Sequence, residues 1–243
     1  MLHATARRAL FSAAAAGLTL STIGCNVVGW TASALPPPVV RPAYDGLVGE
    51  TAAVVVWADD AVDINHPSLT VQVGQRVQRN LTQARDDGGN AAKRSLEGTS
   101  FPYPPESYVA YFKEDPTLAM TPIETLAPRF GARRVIYVEI GKFTTRGGAA
   151  AGLVRGVAEV NLVVYEVEEP VTRDNPEGSV AQTFDAGSNA REVYRESGLE
   201  IVFPENVPDE GSNRITPDYA YRGLVALMAD TVSKRFVPHH AEE

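Results

Sequence analysis

The sequence has few of the residues that build catalytic and metal centres. It contains a single cysteine, Cys25, and four histidines, of which only His66 lies away from the two ends of the chain. One cysteine excludes an intramolecular disulfide framework and any zinc or iron–sulfur site with several cysteine ligands. Because His3, His239 and His240 are terminal, a Ser-His-Asp or Cys-His catalytic arrangement is not expected. We interpret His66, which precedes a proline, as a residue at the start of a helix.

Phosphate-binding glycine loops and an excess of positive charge are also absent. Neither Gly-x-x-x-x-Gly-Lys-Ser/Thr nor Gly-x-Gly-x-x-Gly occurs. The 22 basic and 30 acidic residues give a formal net charge of −8, which argues against a broad nucleic-acid surface. With 44% hydrophobic and 21% charged residues, the chain has a globular composition. The sequence therefore predicts a globular protein that is not an enzyme and has no cofactor, metal site or nucleic-acid partner.

The first 24 residues have the layout of a secretory signal. Arg7 and Arg8 precede an uncharged run, rich in Ala and Leu, that extends from residue 9 to residue 24. That run is shorter than the roughly 20 apolar residues of a membrane-spanning helix. We therefore predict that residues 1–24 are a signal peptide, exported by the general route or, given the paired arginines, by the twin-arginine route.

The apolar run ends at Leu20-Ser21-Thr22-Ile23-Gly24-Cys25, which resembles the lipobox of bacterial lipoproteins, with Thr22 where that family usually has Leu. In the family the cysteine thiol receives a diacylglycerol, the signal is cut before it, and the new amino terminus is often acylated. The resemblance implies cleavage between Gly24 and Cys25, lipidation of Cys25 and a membrane-lipid partner. Two acyl chains anchor stably, at about 0.8 kcal/mol per buried methylene. The alternative is cleavage at Ala32-Ser33-Ala34, which would release a secreted protein.

The chain after the signal divides into a spacer and a domain. Residues 25–48 contain Pro36-Pro37-Pro38 and Pro42 with little periodicity, as expected of an extended, polyproline-like spacer. Residues 49–243 are predicted to form a single α/β domain. Removal of residues 1–24 takes two arginines and no acidic residue, which leaves 20 basic against 30 acidic residues, or −10.

Hydrophobic periodicity predicts an α/β (α+β) fold with a small mixed sheet of about four strands, flanked by helices and ending in a long amphipathic helix. The continuous run Ala52–Ala58 predicts a central strand covered on both faces, and alternation predicts strands at 134–143, 157–167 and 178–188. The predicted helices span residues 66–84, 106–112 and 216–236, with a further capping box at Thr121–Glu124. Residues 86–99 are predicted to be a loop and 146–152 a hairpin link, while 191–213 show no strong period.

Three carboxylates follow the first predicted strand. Asp59, Asp60 and Asp63 stand where an open α/β sheet binds ligands, beyond the carboxyl end of a strand. They predict either a ligand or divalent-cation site, or a solvated turn that begins a helix. Convergence of the three carboxylates on one pocket would favour the first interpretation. A tyrosine-rich stretch around Tyr103 and Tyr111 is interpreted as core or rim, with a partner-binding patch as the alternative.

The arrangement of three segments carries a family resemblance: Ala53-Val54-Val55-Val56-Trp57, Gly131-Ala132-Arg133-Arg134-Val135 and Gly156-Val157-Ala158-Glu159-Val160. It resembles the periplasmic lipoproteins of the curli-secretion, penicillin-binding-protein-activator and TolB N-terminal type, over about residues 50–240. The resemblance implies a small α/β domain in a non-enzymatic cell-envelope protein that binds another protein or assists assembly. The competing expectations are a ligand-binding protein or hydrolase at Asp59, and a structural component that assembles through sheet edges or the tyrosine-rich stretch.

Overall fold

The computed structural model describes residues 38–145, 155–168, 190–204 and 216–240. Residues 1–24, Cys25, the alternative cleavage site, the Gly-rich link 146–152 and the predicted strand 178–188 therefore lie outside the described residues. The chain divides into two compact units: Met1–Val40 with His240–Glu243, and Arg41–His239. Among the described helices, none has both the length and the apolar character needed to cross a membrane.

The larger unit is built on a four-stranded mixed sheet. A separate two-stranded sheet pairs β1 (Val39–Val40) with β6 (His239–His240). The main sheet has the order β2-β3-β4-β5, with β2 parallel to β3 and the other pairs antiparallel. Its strands are β2 (Ala52–Ala58), β3 (Arg134–Thr144), β4 (Gly156–Val167) and β5 (Ala190–Phe203).

Six α-helices and two 3-10 helices are described around the sheet. In chain order the α-helices are α1 (Asp60–Asn65), α2 (Leu69–Asp87), α3 (Asn90–Ser95), α4 (Pro105–Glu114), α5 (Ile123–Leu126) and α6 (Pro217–Lys234). The 3-10 helices, Pro116–Met120 and Ala127–Phe130, flank α5. This confirms the predicted fold class, an α/β fold with a mixed sheet and a long C-terminal helix.

The main hydrophobic core lies between one face of the sheet and the helices α2 and α6. In α2 the fully buried residues recur every four positions, as the sequence predicts, at Leu69, Val73, Val77 and Leu81. On α6 the buried stripe is Leu224, Val225, Met228, Ala229 and Val232. Thr216 caps this helix by accepting a hydrogen bond from the backbone N–H of Tyr219 at 3.2 Å.

A smaller core covers part of the opposite face. Tyr108 and Tyr111 of α4 pack with Phe130, the ring centroids lying 5.3 and 6.4 Å from that of Phe130. Both tyrosines are buried, which agrees with their interpretation as core residues. The core also takes side chains from the sheet, among them Val55 of β2 and Val163 of β4.

The start and the end of the larger unit meet beside the main core. The backbone N–H of Tyr44 donates to the carbonyl of Arg235 at 2.9 Å. The Tyr44 ring lies 5.7 Å from Tyr194 and 6.1 Å from Phe236. Arg235 also makes a bidentate pair with Glu196 of β5, at 2.7 and 2.9 Å. Residues 41–48, placed in the spacer by the sequence analysis, thus belong to the compact unit.

Two strand predictions need correction. β2 is buried on both faces as predicted, but it stands at the edge of the sheet and not in its centre. β5 occupies residues for which no period was found. Its side chains are mostly exposed or half-buried, and its register against β4 shifts twice. Buried and exposed side chains therefore do not alternate regularly along it. Gly198, at φ +70°, interrupts it further.

Three helix predictions are also corrected. The predicted loop 86–99 contains the end of α2 and the short helix α3, which has no buried residue and therefore no apolar period. The helix predicted at 66–84 begins at Leu69. The capping box is wrong: Pro122 precedes α5 and no side chain caps it. Glu124 instead accepts a hydrogen bond from the Tyr165 hydroxyl at 3.2 Å, a long-range contact that local sequence does not reveal.

Candidate functional site

The candidate site lies where β2 ends and α1 begins. Asp59 makes this turn: its backbone N–H donates to the Ile140 carbonyl of β3 at 3.1 Å, and its carboxylate accepts from the N–H of Ala61 at 3.2 Å. The carboxylate therefore caps α1, whose first turn also carries Asp60 and Asp63. The interpretation as a helix-start carboxylate thus holds for Asp59.

The three carboxylates also border one groove, of about 840 Å³. One bank is polar and is formed by α1 with Asp60 and Asp63 and by Thr70 of α2. The other bank belongs to α4 and the following 3-10 helix, and its residues are Val109, Phe112, Lys113, Thr117 and Met120. The floor is the end of β2, from Val56 to Ala58. We call this site the β2 groove.

The charge of the β2 groove is negative. Three carboxylates face a single ammonium group, that of Lys113. Asp59 and Asp60 are exposed and Asp63 is half-buried. Among the described residues no group of three or more His, Cys, Asp or Glu side chains is placed to hold a metal ion. Asp60 and Asp63 make the polar bank of the groove acidic.

Helices α2 and α4 approach each other closely beside β2. The helices meet at Gly74, where an added Cβ would lie 2.8 Å from Cβ of Pro105 and 3.3 Å from Cγ2 of Val56. A glycine at this position permits that close approach. Ala52 and Val54 are fully buried, and Val56 and Ala58, which line the groove, are also buried, with 5% and 6% exposure.

The outer edge of β2 offers backbone hydrogen-bonding groups to the groove. The N–H of Ala52 points away from β3 and donates to Ser100 at 2.8 Å, whereas the N–H of Asp59 points toward β3. Because strand residues alternate, Val54, Val56 and Ala58 direct their N–H and C=O outward. Among the described strands none pairs with this edge beyond the isolated bridge from Thr51 to Ser100.

Two large apolar side chains are exposed on the elements that form the banks. Met120, at the end of the 3-10 helix, is 92% exposed, and Ile64 of α1 is 80% exposed. Exposed apolar side chains next to a groove are typical of protein-binding surfaces. The sequence analysis did not identify Ile64, Lys113 or Met120. The available signal was the spacing of Val109, Phe112 and Lys113, which places them on one face of α4.

His66 lies behind α1 and outside the groove. It caps the C-terminus of α1 by donating its backbone N–H to Val62 at 2.9 Å, so its prediction as a helix-start residue is wrong. Its ring packs against Phe143 at 4.8 Å and Tyr221 at 5.6 Å. Burial lowers the pKa of His66, because desolvation disfavours the charged imidazolium. The neutral ring acts as a packing residue.

A second polar cluster sits on the sheet face opposite the main core. Burial and the nearby carboxylate of Glu124 raise the pKa of Tyr165 to about 12. Burial also raises the pKa of the neighbouring Tyr137. Asn161 joins β3, β4 and β5: it donates to Glu139 at 3.1 Å and accepts from the N–H of Gly198 at 2.9 Å. Tyr165 bonds to Glu124, and Asn161 bonds to Glu139 and Gly198, so these hydrogen bonds support the sheet.

Comparison with known proteins gives little further information. No protein-family model matches the sequence, and no curated protein matches it. Among solved structures, the PelC dodecamer from Paraburkholderia phytofirmans is 10% identical with a TM-score of 0.31, over 82% of this chain and 96% of that chain. A point variant of that dodecamer is 9% identical with a TM-score of 0.30, over 82% and 95%. Similarity at this level carries no argument about fold or function.

Proposed function

We propose that the chain is a bacterial lipoprotein, anchored in the cell envelope through Cys25 and facing the periplasm, whose domain binds another protein without catalysing a reaction. The observation that carries the binding function is the β2 groove, with the exposed Met120 and Ile64 on the elements that border it. An acidic bank and an apolar bank together suit a protein surface of mixed character.

The anchoring part of the proposal rests on the amino-terminal string. Arg7 and Arg8, the apolar run and Gly24 before Cys25 occur in the order that lipoprotein signals have. The proline-rich residues that follow would separate the domain from the membrane surface. The expected partners are therefore membrane lipid through Cys25 and an envelope protein through the groove.

Intact mass and membrane fractionation test the anchor. The native chain should begin at Cys25, carry the mass of a diacylglycerol and sediment with membranes, whereas the Cys25→Ala variant should carry no lipid and lose this fractionation. Thr22→Leu, which restores the usual lipobox residue, is the matched control and should be lipidated at least as well. A soluble native protein that begins after Ala34 would overturn the lipoprotein proposal and favour secretion.

Photo-crosslinking in cells tests protein binding. A photoreactive phenylalanine analogue at Met120 should give a discrete crosslinked protein that mass spectrometry can identify. The same analogue at Tyr219, which is 53% exposed on α6, serves as the control and should not capture that protein. Equal crosslinking at both positions, or none at Met120, would count against a specific protein-binding surface at the groove.

The groove also supports a second candidate, a secreted or anchored small-ligand-binding protein or hydrolase that uses Asp59, Asp60 and Asp63. Its volume of about 840 Å³ is within the range of ligand pockets, which is about 300–1,000 Å³. A thermal-shift screen with small metabolites distinguishes this candidate. A ligand that stabilises the native protein but not the Asp60→Asn/Asp63→Asn variant would favour it over protein binding.

A further inference from the structure

We propose that the β2 groove receives an extended segment of the partner protein, which adds a strand to the outer edge of β2 and alternates basic with apolar side chains. The inference rests on the proposed protein-binding function and specifies how the partner is recognised. Strand addition to an open sheet edge uses main-chain hydrogen bonds for affinity and flanking pockets for specificity.

The backbone geometry supplies the first part of the argument. Val56 and Ala58 direct their N–H and C=O groups outward at the floor of the groove, as deduced from the bonds of Ala52 and Asp59. The contact between Gly74 and Pro105 lies at the level of Val56, and Val56, Trp57 and Ala58 line the groove. A segment of about five residues, roughly 16 Å long when extended, would span this part and continue past Asp59.

The opposite edge of the sheet, β5, is less suited to strand addition. Its register against β4 shifts twice, and Gly198 adopts φ +70°. Charged side chains, among them Arg195 and Glu200, recur along it. Bulges and charges are the features by which edge strands resist pairing. β2, in contrast, is Ala-Ala-Val-Val-Val-Trp-Ala and keeps a continuous register with β3.

The two banks define the side chains of the bound segment. Because successive side chains of a strand point to opposite faces, one set would face Asp60 and Asp63, and the other set would face Val109, Phe112 and Met120. The first bank attracts Lys or Arg, and the second buries apolar groups. Recognition therefore favours an alternating pattern of basic and apolar residues over a block of either kind.

Defined peptides added to the full chain in detergent micelles test this mode. The probe is an eight-residue peptide that alternates Lys and Val, and its control has the same composition as a block of four Lys followed by four Val. Amide hydrogen exchange is read by nuclear magnetic resonance. The alternating peptide should slow exchange at Val56 and Ala58 at least tenfold. Exchange at Val55 and Trp57, which face β3, should not change.

Charge variants test the acidic bank. The double variant Asp60→Asn/Asp63→Asn should lower the affinity of the chain for the alternating peptide at least fivefold. Glu159→Gln/Glu200→Gln, which removes two exposed carboxylates from paired positions on β4 and β5, should change its affinity less than twofold. The amide spectrum of each variant must match that of the native chain, so that a folding defect is recognised.

The outcomes separate this inference from the function on which it rests. Absence of peptide binding, equal binding of the block peptide, or unchanged exchange at Val56 and Ala58 would overturn strand addition. If crosslinking at Met120 nevertheless captures a partner, protein binding stands and only its mode is wrong. If that crosslinking is also absent, the proposed function fails as well.

Discussion

The hydroxyl of Tyr165 on β4 donates a hydrogen bond to Oε1 of Glu124 on α5 at 3.2 Å, which joins the sheet to the small core. We expect Tyr165→Phe to lower the free energy of unfolding by about 1–2 kcal/mol, because this hydrogen bond to Glu124 is lost. Urea denaturation measures the change. Tyr219→Phe, on the exposed surface of α6, is the control and should change stability by less than about 0.5 kcal/mol.

Stability should fall in strongly alkaline solution. Burial raises the pKa of Tyr165 and of Tyr194 to about 12 in each case, above the ordinary value of 10.0. The folded state thus holds these protons more tightly than the unfolded state, and this contribution is complete below pH 10 and is lost as the pH rises toward 12. Tyrosinate absorbance and urea denaturation across this interval measure it. The double variant Tyr165→Phe/Tyr194→Phe should show a shallower decline, and an equal decline would contradict the assignment.

Acid should weaken the packing of His66. Because burial lowers its pKa from the ordinary 6.5, the unfolded state binds the proton more readily, so stability is complete above pH 6.5 and declines below it. We expect the chemical denaturation midpoint to fall on acidification through that value. His66→Gln should reduce this slope. Equal slopes in the native chain and His66→Gln would exclude the effect.

Arg133 and Arg134 should contribute differently to the free energy of unfolding. Both lie 3.4 Å from Glu50, but Arg134 is 12% exposed and Arg133 is 52% exposed. Arg134 also pairs with Glu166 at 2.8 Å and donates to the Gly46 carbonyl at 3.0 Å. We expect Arg134→Ala to cost about 2–3 kcal/mol of unfolding free energy and Arg133→Ala less than about 1 kcal/mol. Similar costs for the two variants would show that burial does not govern the difference.

Gly74 should not tolerate a larger side chain. The Cβ of Gly74→Val would approach Cβ of Pro105 to 2.8 Å, so α2 and α4 would have to separate. We expect a loss of about 1–3 kcal/mol from overpacking. Gln83→Val, at an exposed position of α2, isolates the effect of a β-branched residue on helix propensity and should cost less than about 1 kcal/mol. Thermal denaturation of the two variants gives the comparison.

The sequence predicts those elements whose burial is periodic or complete. β2 is apolar on both faces, and α2 buries one side chain every four residues, so both are recognisable from local pattern. β5 is not recognisable in this way, because its edge position leaves most of its side chains exposed or half-buried and two register shifts interrupt the alternation of buried and exposed residues. Its pairing with β4 is a long-range contact that no local pattern encodes.

Only some residues of the candidate site could likewise be predicted from the sequence. Asp59, Asp60 and Asp63 could be predicted because they follow a strand directly in sequence. Lys113 and Met120 could not, because they reach the groove only through the approach of α4 to α2. That approach depends on the contact between Gly74 and Pro105, which are distant in the chain. Local sequence therefore predicts one bank of the groove, and tertiary packing supplies the other.

The contact between Tyr44 and Arg235 also determines how the larger unit bears mechanical load. Tension applied at Arg41 would reach Tyr44 first, where one backbone hydrogen bond and the rings of Tyr194 and Phe236 resist it. The segment from Arg41 to Gly46 would therefore separate from the unit once the Tyr44 contacts and the hydrogen bond from Arg134 to the Gly46 carbonyl break. Under moderate tension the sheet and its groove keep their geometry, and this short segment serves as the extensible element.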